Sequence, residues 1–243
     1  MNFDFPLATE IIGGVNAATA AGIAAKLVEI GTLYPRGAVD APFLTNHDNV
    51  RLATQLGGNL ARMKNAASIL LTVPGAPFLY YGEEVGLANG TTSNDEAKRT
   101  PMPWDSSTGG GFTTATPWFP FAPGKETANV ASQTDHADSL LSRYRALIRL
   151  RRSSAALSRG DIEIVTPASG STAVLAFLRT EGDERVLVAH NVTDSVAVAG
   201  PLSFPGASAE KLFADPGVGD LSGSSGTWNV ALPPRSSAVF RIR

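Results

Sequence analysis

The chain has 243 residues, of which 43% are hydrophobic and 17% charged, so it is long and apolar enough to bury a sizeable core. Its net charge of −2 offers no basic surface for nucleic acid or an anionic membrane, and we expect neither as a partner. Without cysteine it has no disulfide, thiol nucleophile or cysteine-ligated zinc, and the compartment stays open between the cytoplasm and secretion.

The first 157 residues alternate between short apolar runs and segments with helical spacing. The apolar runs predict strands near residues 1–5, 41–45 and 77–81. The helical spacing predicts helices near residues 16–30, 59–73 and 138–153, and a turn at 35–37 precedes the second strand. Residues 1–5 lack the basic start of a signal peptide, and no apolar run reaches the roughly 20 residues of a membrane span. Strands that alternate with helices are typical of a parallel α/β sheet.

The sequence pattern changes at residues 158–160. Beyond this point short alternating segments are separated by turn clusters, and the helical spacing ends. These segments lie at residues 162–165, 172–178, 186–192, 196–198, 211–213, 228–232 and 238–242. The pattern predicts a small antiparallel β domain, so we divide the chain into domains at residues 1–157 and 160–243.

Polar clusters follow two of the predicted strands at the point where each strand ends. Asn46, His47 and Asp48 come directly after the second strand, with Arg51 close behind. The third strand runs into residues 80–84, which end in two glutamates. Because function collects at the carboxyl ends of strands in α/β sheets and barrels, both clusters are candidate sites.

Five segments in the same order resemble the α-amylase family, glycoside hydrolase family 13. Residues 43–48 (FLTNHD) resemble its fourth conserved region, and residues 75–86 (GAPFLYYGEEVG) resemble its eighth-strand segment. Residues 99–105 (RTPMPWD), 111–118 (GFTTATPW) and 129–151 are similar to the branch near oligo-1,6-glucosidases and related bacterial α-amylases. The match therefore covers the middle of the chain.

The resemblance implies a fold of the α/β plus all-β class. Residues 1–157 would be part of a (β/α)8 (TIM) barrel, about its last three strand–helix units, and residues 160–243 the antiparallel β-sandwich called domain C. The family's nucleophilic Asp and acid/base Glu follow the fourth and fifth barrel strands. Both precede the counterpart of residues 1–5, so we expect a truncated chain without these two segments. Pro103 departs from the branch, which usually has Gln there.

The resemblance also implies a retaining glycoside hydrolase that acts on α-glucans or maltooligosaccharides. Asp48 matches the family's third carboxylate, the transition-state stabiliser, and His47 matches a neighbouring donor to sugar hydroxyls. Asn46 and Arg51 are the other expected substrate-binding residues, and Arg51 has a second role open to it, that of orienting carboxylates. We expect no cofactor and no metal, because the family's calcium site draws on segments upstream of those matched.

Two non-catalytic functions remain alternatives. A retaining glycosidase needs two carboxyl groups about 5–5.5 Å apart across the scissile bond, and a stabilising carboxylate cannot replace the nucleophile. One alternative is a glucan-binding or complementing subunit with no activity of its own. The other is a purely structural fragment.

Several further polar residues have both a chemical and a structural interpretation. Glu83 and Glu84 have the composition of a catalytic pair, yet neighbouring strand residues point to opposite faces, which favours structural roles. Asp4 is expected to cap a strand end. His136 lies between two aspartates before a helix, which favours a capping cluster over a metal site. His190 lies on a predicted strand and is expected to be packed or at its edge.

Residues 86–130 show neither strand nor helix periodicity, and an irregular segment of this length is usually functional. Within it Trp104, Trp118 and Phe119 either stack on sugar rings or anchor the loop. After it, the arginines between residues 143 and 152 lie mostly off the apolar side of the last predicted helix, which indicates a solvated face.

A barrel that lacks most of its strands leaves open edges, at residues 1–5 and 77–81. It also uncovers the inward-facing side chains, which are Phe43, Leu44, Phe78 and Leu79. We therefore expect a homo-oligomer, a dimer that closes through the barrel segment. Burial of both phenylalanines within one chain would contradict this expectation.

Overall fold

The computed structural model describes residues 1–33, 35, 38–224 and 226–243, with the side chain of residue 224 left out. Two positions of the turn predicted at residues 35–37 lie outside the described residues. The helices are α1 (Phe5–Ala17), α2 (Ala21–Leu33), α3 (Leu52–Gln55), α4 (Leu60–Leu70), α5 (Val130–Gln133), α6 (Leu140–Ser153) and α7 (Ala155–Arg159). Two short 3₁₀ helices span Glu83–Val85 and Asp95–Arg99. No helix in these ranges has the length and apolar character needed to span a membrane.

The amino-terminal strands are parallel, as predicted, but far shorter than predicted. β1 (Asn2–Phe3) pairs with β2 (Asp40–Ala41), residue 2 against 40 and residue 3 against 41. Residues 77–81 form no strand, which corrects the prediction. Two backbone amides at the start of this segment bond to β2 and the residue after it: Ala76 donates to the carbonyl of Asp40 and Phe78 to that of Pro42, each at 2.8 Å. Beyond them the chain turns into a 3₁₀ helix at Glu83–Val85.

The helix α1 was missed, because its start signal is embedded in an aromatic segment that we interpreted as strand. Asp4 is its N-cap: a carboxylate oxygen accepts the amide of Leu7 at 2.8 Å, and Pro6 occupies the first turn. Asp4 therefore caps a helix rather than a strand end. The helix predicted over residues 16–30 is α2, which begins at Ala21 after a break at Ala18.

The two long helices near the predicted strands begin where their caps place them. Asn59 accepts the amide of Arg62 to start α4, and Ser139 accepts that of Ser142 to start α6. The arginines of α6 are not all solvated, which corrects the prediction. Arg143 forms an ion pair with Asp215. Arg151 is buried and donates to the carbonyls of residues 71, 73 and 75 at 3.0, 2.8 and 2.6 Å.

The carboxyl-terminal part forms two antiparallel sheets. Their strands are β3 (Asp161–Ile164), β4 (Val174–Glu181), β5 (Glu184–Asn191), β6 (Ala197–Ser203), β7 (Ala209–Ala214), β8 (Ser222–Ser224), β9 (Thr227–Leu232) and β10 (Ser237–Ile242). One sheet has the order β3-β4-β5-β10-β7 and the other β6-β9-β8. Leu187, Leu202 and Phe240 belong to the apolar core between the two sheets.

The five-stranded sheet is covered on both faces. Its second face packs against the helices, so that Phe177 and Val188 share a core with Leu70 of α4 and Leu147 of α6. Polar contacts cross the same boundary, because buried Arg179 donates to the carbonyls of Thr72 at 2.7 Å and Gly160 at 2.8 Å. The molecule thus has three layers: helices, a five-stranded sheet and a three-stranded sheet.

Candidate functional site

The predicted residues Asn46, His47 and Asp48 lie on a tight turn that residues 42–45 separate from β2. The Asn46 side-chain oxygen accepts the backbone amides of Asp48 at 2.9 Å and Asn49 at 3.2 Å. This geometry uses the short Asn side chain to close the turn. It leaves the side chains of His47 and Asp48 outside, 62% and 65% exposed. A carboxylate and an imidazole are therefore presented together to solvent on a fixed loop.

A residue of the irregular segment completes this exposed cluster. Arg99, at the end of the Asp95–Arg99 helix, donates through Nη2 to Oδ1 of Asp48 at 3.2 Å and through Nε to the carbonyl of His47 at 3.1 Å. The His47 Nε2 lies 3.4 Å from Oδ2 of Asp48. Asp48 thus has a cation on one oxygen and an imidazole on the other. These contacts orient both oxygens of the Asp48 carboxyl group.

Beneath the turn lies a buried carboxyl group, that of Glu83. Thr45, the last residue before the turn, donates its hydroxyl to Oε2 at 2.9 Å, and Tyr144 of α6 donates its hydroxyl to Oε1 at 2.8 Å. Burial raises the pKa of Glu83 to about 7, against the opposing effect of the two hydrogen bonds. Burial raises the pKa of Glu84 as well. Both hydroxyl groups bind Glu83 and not Glu84.

Arg51 lies under the far end of the turn, and here the prediction needs correction. Its side chain is only 1% exposed, so a sugar has no access to it. The guanidinium stacks on the rings of Tyr80 and Tyr81, with Cζ 4.5 Å from each centroid, and donates to the carbonyl of Tyr81 at 2.7 Å. The backbone amide of Arg51 donates to the side chain of Asn89 at 2.8 Å. Arg51 fastens the loop and is not positioned as a substrate ligand.

Residues 80–83 thus hold both ends of the turn. Glu83 holds the start through Thr45, and the tyrosines hold the end through Arg51. Gly82 allows this approach because its φ of 81° is left-handed and an added Cβ would lie 2.6 Å from Leu87. Sequence reasoning brought the two clusters to the same sheet edge, and the structure joins them. The roles of Arg99 and Tyr144 are not predicted from the sequence.

Other candidate residues lie outside this cluster. His136 and Asp138 are exposed and line a cleft of about 620 Å³ whose floor includes Met63, Val85 and Leu140. Within the described ranges no group of three or more His, Cys, Asp or Glu residues could hold a metal ion. His190 is buried between the hydroxyls of Thr72 at 3.1 Å and Ser237 at 2.8 Å, and burial lowers its pKa to about 3.

The tryptophans of the irregular segment remain accessible. Trp104 is 51% exposed and Trp118 63% exposed. The Trp118 ring lies 5.5 Å from that of Phe119, at an angle of 40°. Both the stacking and the anchoring interpretation of these rings therefore stay open.

An aromatic cluster is exposed beside the two short strands. Phe43 is 2% exposed because the rings of Phe3 and Phe5 cover it at centroid distances of 5.6 and 4.9 Å. Phe3, Phe5 and Phe78 are themselves 55%, 50% and 43% exposed. Leu44 is also buried, so the expectation of a bare inward face is wrong for residues 43 and 44. It holds for Phe78 and for Leu79, which is 39% exposed.

Comparison with known proteins places this geometry in a family. The family model described as the alpha-amylase catalytic domain matches residues 17–160. Alpha-amylase 3 of Dictyoglomus thermophilum is 34% identical over 79% of this chain and 38% of its own length. Alpha-amylase SusG of Bacteroides thetaiotaomicron is 29% identical over 99% of this chain and 35% of its own length. Oligo-1,6-glucosidase of Bacillus cereus is 28% identical over 62% of this chain and 34% of its own length.

Solved structures give the same result at the level of the fold. The crystal structure of the alpha-amylase from H. orenii superposes with a TM-score of 0.86 at 31% identity, over 99% of this chain and 48% of that one. The chain thus spans between about a third and a half of the length of the relatives that it matches. It belongs to the α-amylase family, glycoside hydrolase family 13.

Proposed function

We propose that this chain supplies the glucan-binding, transition-state-stabilising part of a retaining α-amylase-type active site, with α-glucans or maltooligosaccharides as substrates. The observation that carries the proposal is the exposed Asp48–His47 pair on a turn fastened at both ends. The relatives' names support the substrate class, since they include alpha-amylases and an oligo-1,6-glucosidase.

The geometry suggests how these residues act on a sugar. The carboxylate of Asp48 accepts hydrogen bonds from ring hydroxyls, which become more acidic as positive charge develops in the oxocarbenium-like transition state. Such hydrogen bonds are therefore stronger in the transition state than in the ground state. The imidazole of His47 donates to a neighbouring hydroxyl. Arg99 orients the carboxyl group of Asp48 through its hydrogen bond to Oδ1. Asn46 contributes by closing the turn.

The nucleophile and the acid/base belong outside residues 1–243 in this proposal. The family resemblance puts both in barrel strands that precede the counterpart of residues 1–5, and the chain spans only 35–48% of several relatives. The second candidate function is that of a glucan-binding or complementing subunit without turnover of its own, since Asp48 is the one of the family's three carboxylates that the resemblance assigns to residues 1–243. Residues 1–157 are then a barrel segment, and residues 160–243 its domain C.

We further propose that two copies associate through the barrel segment. Among the residues that the structure describes, β1 pairs with β2 alone and residues 76–78 reach β2 from its other side, which leaves two outer edges open. A two-fold axis along the barrel would set β1 of one copy beside residues 76–80 of the other, parallel at both junctions. The exposed rings of Phe3 and Phe78 lie beside these edges.

Binding and turnover of maltoheptaose, measured on the purified chain, test the proposed site. Asp48→Asn keeps the shape and removes the charge, and we expect it to weaken binding about tenfold, the loss of one charge-assisted hydrogen bond. The matched control is Asp183→Asn, which removes a charge from the exposed β4–β5 turn and should leave binding unchanged. Equal binding by both variants would refute the role of Asp48. Binding without turnover selects the second candidate function.

A further inference from the structure

The carboxyl group of Glu83 is the most unusual titratable group near the proposed site. It is 4% exposed, and hydroxyl groups from two different elements bind its oxygens, those of Thr45 and Tyr144. No cation contacts it directly among the hydrogen bonds and ion pairs described. Its position between the strand end and α6 gives it two connections, one to the turn and one to the helix layer.

The charges that face Glu83 come from the same segment and from the loop above it. Glu84, the next residue, raises the pKa of Glu83, and Arg51, whose Nη1 is engaged by the Tyr81 carbonyl, lowers it. The hydrogen bond from Tyr144 of α6 and that from Thr45 also lower it. Burial outweighs all of these and brings the pKa to about 7. The carboxyl group of Glu83 therefore changes between its protonated and ionised forms around pH 7.

Gain of that proton changes the hydrogen bonding beneath the turn. An ionised carboxylate accepts from both hydroxyls at once, whereas a protonated carboxyl group has one oxygen that donates. The hydroxyl facing that oxygen must then rotate and accept, or lose its partner. Because Thr45 is covalently joined to Asn46, a change at its hydroxyl is transmitted to the turn that presents Asp48.

We propose that Glu83 is a positioning residue whose protonation state sets the geometry of the Asn46–Asp48 turn through its hydrogen bond with Thr45. The ionised form fixes Thr45 and with it the orientation of Asp48. In the protonated form one of the two hydroxyl contacts is reversed in direction or lost. The inference rests on the proposed function only in saying that the turn binds glucan, since the link from Glu83 to the turn is a property of the chain itself.

The turn can be observed directly by NMR. Amide resonances of residues 45–49 are followed between pH 5 and 9 in ¹⁵N-labelled protein, and every sample carries His47→Asn so that the imidazole on the turn contributes nothing to the observed shifts. We expect these amides to shift with an inflection near pH 7. Glu83→Gln should abolish the inflection. Glu84→Gln is the matched control, since it removes the neighbouring carboxyl group but neither hydroxyl contact, and it should keep the inflection.

A second variant tests the same link if Glu83→Gln does not fold. Tyr144→Phe removes one donor to the ionised form, so the inflection should move upward by roughly half to one pH unit. An inflection that survives Glu83→Gln, an absent inflection in the parent protein, or an unchanged one in Tyr144→Phe would each overturn the inference. Loss of maltoheptaose binding in Asp48→Asn is a separate readout, so a failed proposed function would leave the inflection unaffected.

Discussion

Phenylalanine side chains are buried in the five-stranded sheet but exposed at the amino-terminal strand pair and the neighbouring residues 76–78. Phe177 in β4 is 0% exposed and Phe240 in β10 is 1% exposed, whereas Phe3 and Phe78 are 55% and 43% exposed. The sheet has a layer on each face, whereas no layer in the described part of the chain shields the rings of Phe3 and Phe78 from solvent. What decides burial is thus the number of neighbouring layers and not the residue type.

Polar side chains show the same difference in burial between the two regions. In the sheet, His190 and Arg179 are buried, and each has hydroxyl or carbonyl partners. On the turn beyond β2, Asp48 and His47 are exposed, and Arg99 donates hydrogen bonds to both residues. The β region contributes the cohesion of the molecule, and the strand ends carry the groups available to a ligand.

The largest expected effect tests the difference in burial. Phe177→Ala empties a fully buried position and should lower the free energy of unfolding by about 3–5 kcal/mol. Phe78→Ala, at a 43% exposed position, should cost less than about 1 kcal/mol at submicromolar concentration. Urea unfolding followed by circular dichroism measures both. Equal losses would mean that the two regions share one level of packing, and the comparison would fail.

The two regions should also respond oppositely to pH. His190 has a folded pKa of about 3, below its ordinary 6.5, so the stability it contributes is full above pH 6.5 and is lost as pH falls toward 3. Glu83 has a folded pKa of about 7, above its ordinary 4.5, so its contribution is full below pH 4.5 and is lost as pH rises to 7. The Glu83 change amounts to about 3 kcal/mol at 1.4 kcal/mol per pH unit.

Two glutamine variants separate these effects. His190→Gln should flatten the acid side of the stability profile, and Glu83→Gln should flatten the rise in stability between pH 7 and 4.5. Unfolding by urea at pH 4 to 8 measures both slopes. If His190→Gln removed the rise in stability between pH 7 and 4.5, or Glu83→Gln removed the loss of stability toward acid pH, the assignment of the two groups would be wrong.

The smallest expected effect concerns the exposed aromatic cluster. Phe78→Ser should weaken self-association about tenfold, because the proposed dimer covers this ring. The matched control is Val196→Ser, which removes a 69% exposed apolar side chain in the β region and should leave association unchanged. Sedimentation or light scattering at micromolar concentration gives the result. A parent protein that is monomeric under these conditions would end the dimer proposal.

Sequence alone identified the elements whose signals are local. The helices α4 and α6 combine helical spacing with the caps Asn59 and Ser139, and the short alternating segments mark the β region. The helix α1 escaped because Asp4 and Pro6, which start it, stand among phenylalanines typical of strands. Residues 77–81 have the composition of a strand, yet the backbone hydrogen bonds that join this segment to residues 40–42 are those of Ala76 and Phe78.

The site divides in the same way. Asn46–Asp48 could be located because polar residues directly follow an apolar run. The contact of Arg99 with Asp48 spans 51 positions and depends on how the irregular segment folds back. Tyr144 has the spacing of any core residue in α6, so nothing in its local pattern reveals a hydroxyl aimed at Glu83. Burial of Arg51 likewise depends on rings 29 and 30 positions away.

The arginines that reach into residues 71–75 have a consequence for synthesis on the ribosome. The carbonyls of residues 71, 72, 73 and 75 receive hydrogen bonds from Arg151 in α6 and Arg179 in β4. A nascent chain that has emerged only to residue 150 lacks both arginines, so water bonds to these carbonyls in their place. This set of hydrogen bonds is completed when residue 179 emerges, so the helical layer acquires its final form only once the first long strand of the β region is available.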